Sequence, residues 1–154
     1  VIQEGQPFPD FTLADQNGEV MSKSNLEGSE AVIYFYPKDD TPGCTTEACE
    51  FQSAVSDLHK AGKTGFRVIG VSPDAVKSHK KFADKYKLEF TLLADVDHTL
   101  AEALGVWVEK SMYGKKYMGV ERTTFLVDRS GLIKKIFNKV KPEGHASQIF
   151  DSVG

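Results

Sequence analysis

The chain contains two cysteines, Cys44 and Cys49, and their surroundings differ. Cys44 closes the stretch Pro37-Lys38-Asp39-Asp40-Thr41-Pro42-Gly43-Cys44, which follows the apolar run Ala31-Val32-Ile33-Tyr34-Phe35-Tyr36. A strand followed by a Thr-Pro-Gly lead-in places this thiol in the first turn of a helix. Backbone N–H groups and the helix dipole there favour negative charge, so a thiol is drawn towards its nucleophilic thiolate form. A free thiol with a pKa near ~8.5 is only ~3% ionised at pH 7. Bringing that pKa to ~6 gives ~90% thiolate, a gain of about 30-fold, part of which is lost because nucleophilicity falls with pKa. Positioned donors must therefore supply the rest of any large rate enhancement. A reactive thiol with a second thiol five residues on points to redox catalysis.

Cys49 poses a geometric constraint. Residues five apart in an intact helix lie about 7.5 Å apart along the axis and ~140° around it, so their Cα atoms are about 8.6 Å apart. A disulfide tolerates only ~7 Å. A Cys44–Cys49 bond thus requires the first turns of the helix to unwind. Spacing alone favours Cys49 as a small buried hydrophobe, the usual state of a free cysteine.

The elements that position these thiols follow from periodicity and turn chemistry. Phe11–Ala14 and Val20–Met21 flank Asp15-Gln16-Asn17-Gly18, a hairpin signal. Residues 31–36 suit a strand buried on both faces. Pro42 fits the first helical turn, with Thr41 as N-cap, and Cys44, Ala48, Phe51, Val55 and Leu58 recur at helical spacing to about Lys60. Ala61-Gly62-Lys63 ends that helix. A second buried strand is expected over Phe66–Val71, ended by Ser72-Pro73-Asp74. An amphipathic helix over 75–87 buries Val76, Phe82, Ala83 and Tyr86. A short strand is expected at Leu92–Ala94 and a short helix over His98–Leu104. A hairpin follows from Arg122–Val127, a turn at 128–131 and Leu132–Asn138, and a last helix lies near 143–152. Strands alternating with helices and closing on a hairpin imply an α/β fold with a central mixed sheet and helices on both faces. The active site is then expected at the C-terminal ends of the parallel strands.

Composition narrows the class. With 154 residues, 40% hydrophobic and 27% charged, the chain suits one domain over 1–154, neither disordered nor fibrous. A net charge of −3 gives no reason to expect nucleic-acid binding. The longest apolar run is far below the ~20 residues that span a bilayer, so no membrane association is expected. No basic-then-apolar leader is visible, and the expected compartment is the cytoplasm. The chain begins at Val1, which leaves room for a removed organelle-targeting segment. The two cysteines are neither a disulfide scaffold nor C-x-x-C, and His59, His79, His98 and His145 are scattered, so no metal site is expected. Each histidine reads as a surface or helix-end residue. Lys110, Lys115 and Lys116 read as a solvated loop. Trp107 reads as ordinary packing, with an apolar lip formed with Met112 and Tyr113 as the alternative.

The residues also carry a family resemblance. Pro37, Thr41 and Cys44 match a P-x-x-x-T-x-x-C motif, and the string Tyr34 to Glu47 closely resembles the peroxiredoxins of the bacterioferritin comigratory protein, or Q, subfamily. The likeness continues through Gly70–Asp74, Leu92–Asp95 and Glu121–Asp128 and covers nearly the whole chain. It implies a thioredoxin-like fold with an N-terminal extension and the reduction of hydrogen peroxide and organic hydroperoxides. By resemblance Cys44 is the peroxidatic cysteine and Cys49 the resolving one. Thr41 hydrogen-bonds the thiolate and the peroxide, and Gly43 and Cys44 offer backbone N–H groups to it. Pro37 shields the site, and Arg122 supports the thiolate and the developing charge. Glu47 either steadies Arg122 or simply complements the helix N-terminus. The resemblance implies no flavin, haem or metal, a monomer, and recycling by thioredoxin or a glutaredoxin-like protein.

Two other readings fit part of the sequence. One is an oxidoreductase acting on protein disulfides, against which stands the lack of C-x-x-C. The other is a redox-switched binding module whose helix unwinds on oxidation.

Overall fold

The computed structural model describes residues 2–62 and 65–153, with 151–153 described by backbone alone. Its strands are β1 (Thr12–Asp15), β2 (Val20–Ser22), β3 (Glu30–Phe35), β4 (Phe66–Ser72), β5 (Thr91–Ala94), β6 (Trp107–Met112), β7 (Lys115–Val120), β8 (Thr123–Val127) and β9 (Ile133–Asn138). The helices are α1 (Pro42–Lys60), α2 (Val76–Tyr86), α3 (Thr99–Ala103) and α4 (His145–Val153), with a 3₁₀ turn at Lys23–Leu26. Seven strands form one mixed sheet in the order β2-β1-β5-β4-β3-β8-β9. The central three, β5, β4 and β3, are parallel, and β1, β8 and β9 add antiparallel neighbours. This is the thioredoxin-like arrangement expected from the sequence, with the N-terminal hairpin β1–β2 joined to β5.

Strand β3 shows how the sheet sorts its two faces. Successive side chains of a strand point to opposite sides. Ala31, Ile33 and Phe35 join a core with Phe8, Ile69, Leu100 and Phe125. Val32, Tyr34 and then Tyr36 join a second core with Cys44, Ala48, Phe51, Phe82, Leu92 and Ile149. Helices α1, α2 and α4 therefore cover the second face, and α3 with the N-terminal segment covers the first. Tyr34 stacks on Phe51 of α1 at 4.6 Å between ring centroids, and Phe51 in turn meets His145 and Phe150 of α4.

Helix α1 starts with Pro42 at its first position, and Gly62, at φ 78°, takes the chain out of it beyond Ala61. Lys63, the third residue of the expected stop, lies outside the described residues. Thr41 is the N-cap by backbone conformation, but its hydroxyl donates to the Lys38 carbonyl (3.0 Å) instead of accepting from the helix.

Three expectations change. The lysine segment is not a loop. Lys110, Lys115 and Lys116 belong to the antiparallel hairpin β6–β7, whose turn places Tyr113 (φ 51°) and Gly114 (φ 79°) in the left-handed region. Its residues alternate too little in polarity to reveal strands, because neither face packs deeply. Tyr113 is 98% exposed at the tip, away from any lip with Trp107, whose ring instead stacks on His98 at 4.0 Å. His79 is not at the surface but fully buried in mid-helix, and His145 is buried at the start of α4.

Gly70 keeps β4 close beneath Tyr34. A Cβ there would lie 2.9 Å from Leu92 Cδ2 and 3.0 Å from Tyr34 Cζ, both in the packed core. Gly70→Ala should therefore lower stability by about 1–3 kcal/mol in urea unfolding. Unchanged stability would mean that Tyr34 is not tightly held.

Candidate active site

The site forms where β3 hands the chain to α1. Antiparallel pairing of β3 with β8 sets Phe35 opposite Thr123. Arg122, one residue before Thr123, therefore arrives beside the end of β3 and the start of α1. Its Nη2 donates to Cys44 Sγ at 3.0 Å and its Nη1 to Glu47 Oε1 at 2.9 Å. Cys44 and Glu47 lie three residues apart on one face of α1, so a single guanidinium spans both. Val140 N–H donates to the Arg122 carbonyl at 3.2 Å, which holds its backbone from the other side.

Cys44 is buried, and both cysteines are free thiols with α1 wound from Pro42 onwards. A guanidinium against a sulfur at a helix N-terminus concentrates positive potential on one atom, an arrangement that complements a thiolate. Gly43 makes the approach possible. A Cβ at this position would sit 2.9 Å from Arg122 Nη2 and 3.3 Å from Pro142 Cγ. Pro37 is half-buried where the chain leaves β3.

Glu47 is only 1% exposed, and its Oε2 has no hydrogen-bond partner among the described residues. Burial pushes its carboxyl from an ordinary 4.5 up to about 7, against the opposing pull of Arg122. Glu47 therefore exchanges its proton near neutrality while remaining Arg122's partner. Lys110 is half-buried, with its side chain running alongside Gly119. Burial pushes its ammonium down, and the charge of Arg122 adds to that. Cys49 lies further along α1, half-buried, and burial pushes its thiol up.

The structure thus brings Cys44, Glu47, Arg122 and Gly43 together, with Thr41 and Pro37 on the adjoining loop. It leaves Cys49 away from this contact, on the wound helix. The sequence does not reveal the polar cluster under that loop, in which Asp39 and His79 are buried and Asp74 is half-buried. Only His79 carried a signal: it falls on the helical stripe of Val76, Phe82, Ala83 and Tyr86. Among the described residues no helix is long and apolar enough to cross a membrane.

Fold and site together describe a cysteine-dependent redox enzyme. Residues 4–136 match the model of the AhpC/TSA family. A peroxiredoxin bcp of Coxiella burnetii is 51% identical over 148 residues, covering 96% of each chain. Peroxiredoxin Bcp of Bacillus subtilis is 45% identical, covering 99% of this chain and 95% of its own. Among solved structures, peroxiredoxin Q of Xylella fastidiosa superposes with a TM-score of 0.91 at 32% identity, covering 99% of this chain and 96% of its own. The bacterioferritin comigratory protein of Xanthomonas campestris, studied for alkyl peroxide reduction, superposes at 0.87 with 38% identity, covering 98% and 97%. The chain belongs to the AhpC/TSA family, as a peroxiredoxin of the Bcp and Q kind, and is a thiol-dependent peroxidase.

Two predictions follow from the Arg122 contacts. Gly43→Ala should displace Arg122 Nη2 and slow single-turnover peroxide consumption by about 10- to 100-fold, the scale of losing one positioned donor; an unchanged rate would show that the contact is dispensable. The raised Glu47 value means that the folded state binds more protons than the unfolded one between pH 4.5 and about 7. Stability contributed by the neutral carboxyl is present at low pH and is lost as pH rises through that window. Thermal melts of Glu47→Gln should show a shallower decline across it than the wild type, and parallel slopes would contradict the assignment.

Proposed function

We propose that Cys44 is the peroxidatic cysteine and Cys49 its resolving partner, in a cycle recycled by thioredoxin. The observation that carries this reading is the 3.0 Å hydrogen bond from Arg122 to the Cys44 sulfur at the start of α1. The Cys44 thiolate attacks the terminal oxygen of a hydroperoxide. The S–O bond forms as the O–O bond breaks, and the leaving alkoxide or hydroxide takes up a proton to give an alcohol or water. Arg122 and the backbone N–H groups of Gly43 and Cys44 meet the charge moving onto oxygen. Thr41 offers its oxygen to the peroxide proton, and Pro37 limits water at the sulfur. Glu47 holds Arg122 in register.

The product is a sulfenic acid on Cys44. The Cys49 thiolate attacks that sulfur and expels hydroxide, giving an intramolecular disulfide and, after protonation, water. In the wound helix Cys49 is a poor nucleophile, since burial pushes its thiol up. Unwinding the first turns both exposes it and brings it within reach. Thioredoxin, or a glutaredoxin-like dithiol, then reduces the disulfide by exchange and leaves as its own disulfide. Hydrogen peroxide and alkyl hydroperoxides are the substrates, consistent with the alkyl peroxide reduction studied in the X. campestris relative. The working unit is one domain, 1–154, acting as a cytoplasmic monomer.

Cys44→Ser should abolish peroxide turnover. Cys49→Ser should consume one equivalent of peroxide at a rate within about 3-fold of wild type and then stall with thioredoxin, because exchange needs the disulfide. Normal thioredoxin-linked turnover by Cys49→Ser would remove Cys49 from the cycle.

A further inference from the structure

The peptide unit between Lys38 and Asp39 is held at both ends. Its carbonyl accepts the Thr41 hydroxyl proton at 3.0 Å, and its N–H donates to Asp74 Oδ2 at 2.8 Å. Asp74 Oδ2 also accepts from Ser72 Oγ at 2.6 Å, and Asp74 N–H donates back to Ser72 Oγ at 3.2 Å. Asp74, at the end of β4, thus determines which way this peptide plane faces. The plane in turn determines where the Thr41 proton points.

The Asp39 side chain pins the same residue from below. Its carboxylate accepts from Tyr36 Oη at 2.6 Å and Ser78 Oγ at 2.8 Å, and its Oδ2 lies 2.7 Å from His79 Nδ1. His79 Nε2 lies 2.9 Å from the Leu93 carbonyl, which can only accept, so Nε2 carries a proton. The other ring nitrogen, Nδ1, makes the contact with Asp39, and both of these side chains are buried. One ligand atom from each of Asp39, Asp74 and His79 lies within 4.8 Å of the others, a spacing that suits a cation. Each is already committed to a protein partner, and the arrangement is a hydrogen-bonded clamp. Next along the chain, Asp40 adopts φ 57° and is tied to Lys85 Nζ and Tyr86 Oη of α2. A non-glycine residue in that region persists when its surroundings over-determine it.

We propose that Asp74 is a positioning residue for the peroxidase reaction, acting through the Lys38–Asp39 peptide on the Thr41 hydroxyl, with Asp39 and His79 fixing the same peptide from the helix side. Because the Thr41 proton is spent on Lys38, its oxygen is left to act as an acceptor. A hydroperoxide must then donate its O–H to Thr41, which orients the O–O bond for attack by Cys44. This rests on the role given to Thr41 above.

The test uses reduced protein carrying Cys49→Ser, so that Cys44 is the sole thiol, with hydrogen peroxide in single turnover and iodoacetamide as a reagent that needs only an accessible thiolate. Asp74→Ala should slow the peroxide reaction about 10-fold or more, and Asp74→Asn, which keeps an acceptor, should recover to within about 3-fold. Alkylation should change by less than about 2-fold, and in a Thr41→Val background Asp74→Ala should add nothing further, because the two residues act as one unit. An unchanged peroxide rate in Asp74→Ala, a parallel fall in alkylation, or a full additional loss on top of Thr41→Val overturns the proposal. Thr41→Val leaving the rate intact would overturn the role of Thr41 itself, a separate failure.

Discussion

Arg122 and Cys44 are 78 residues apart in the chain and meet at 3.0 Å. That contact depends on the sheet. The register of β3 against β8 delivers Arg122 to the point where β3 ends, and the short loop 37–41 delivers Cys44 to the same point on the first turn of α1. Gly43 leaves room for the guanidinium, and Glu47 takes its second N–H group. Truncating Arg122, Cys44 or Glu47 leaves a polar group stranded in a nearly closed site, where an unmade hydrogen bond is expensive. The cost of this arrangement is visible in Glu47, a buried carboxyl whose second oxygen has no partner among the described residues.

In the proposed cycle the same helix turn has two incompatible duties. Wound, it presents Cys44 to Arg122. For a bond to Cys49 it must open, since residues five apart in a helix are held about 8.6 Å apart at Cα. The surroundings divide accordingly. The loop before α1 is clamped to α2 and β4 through Asp39, Asp40 and Asp74. Beyond Cys49, Phe51 is stacked on Tyr34 and packed against α4. Between these anchors, the early turns bury Cys44 and Ala48 in the core and hold Glu47 on Arg122, while Pro142 lies near Gly43 and Glu50 accepts from Gly144 N–H at 2.9 Å. Local opening between two fixed ends is sub-global unfolding of the kind folded domains support, and here it must release the Arg122 contacts with Cys44 and Glu47.

Much of this was legible in the residues. The continuous apolar run 31–36 before Cys44 and Pro42 at the helix start specified the strand, the helix and the site they build, because each reports a local requirement. The hairpin β6–β7 was not legible, since Met112, Tyr113, Tyr117 and Met118 are exposed and lack the alternation that core packing imposes. The clamp was legible only at His79, whose helical spacing marks an inward position. Its partner Asp39 lies 40 residues earlier, and no local pattern links them. The Arg122 contact required family resemblance, for a lone arginine at a strand start is otherwise a solvated charge.

In the proposed cycle α1 holds Cys44 against Arg122 when wound and opens only over its first turns to bring Cys49 within reach. Amide hydrogen exchange on the reduced and disulfide forms measures this directly. Amides from Thr45 to about Glu50 should be protected in the reduced protein and lose protection on oxidation. Those of the later helix, β3 and β8 should keep theirs. A Cys44–Cys49 disulfide form with full protection across residues 45–50 would contradict it.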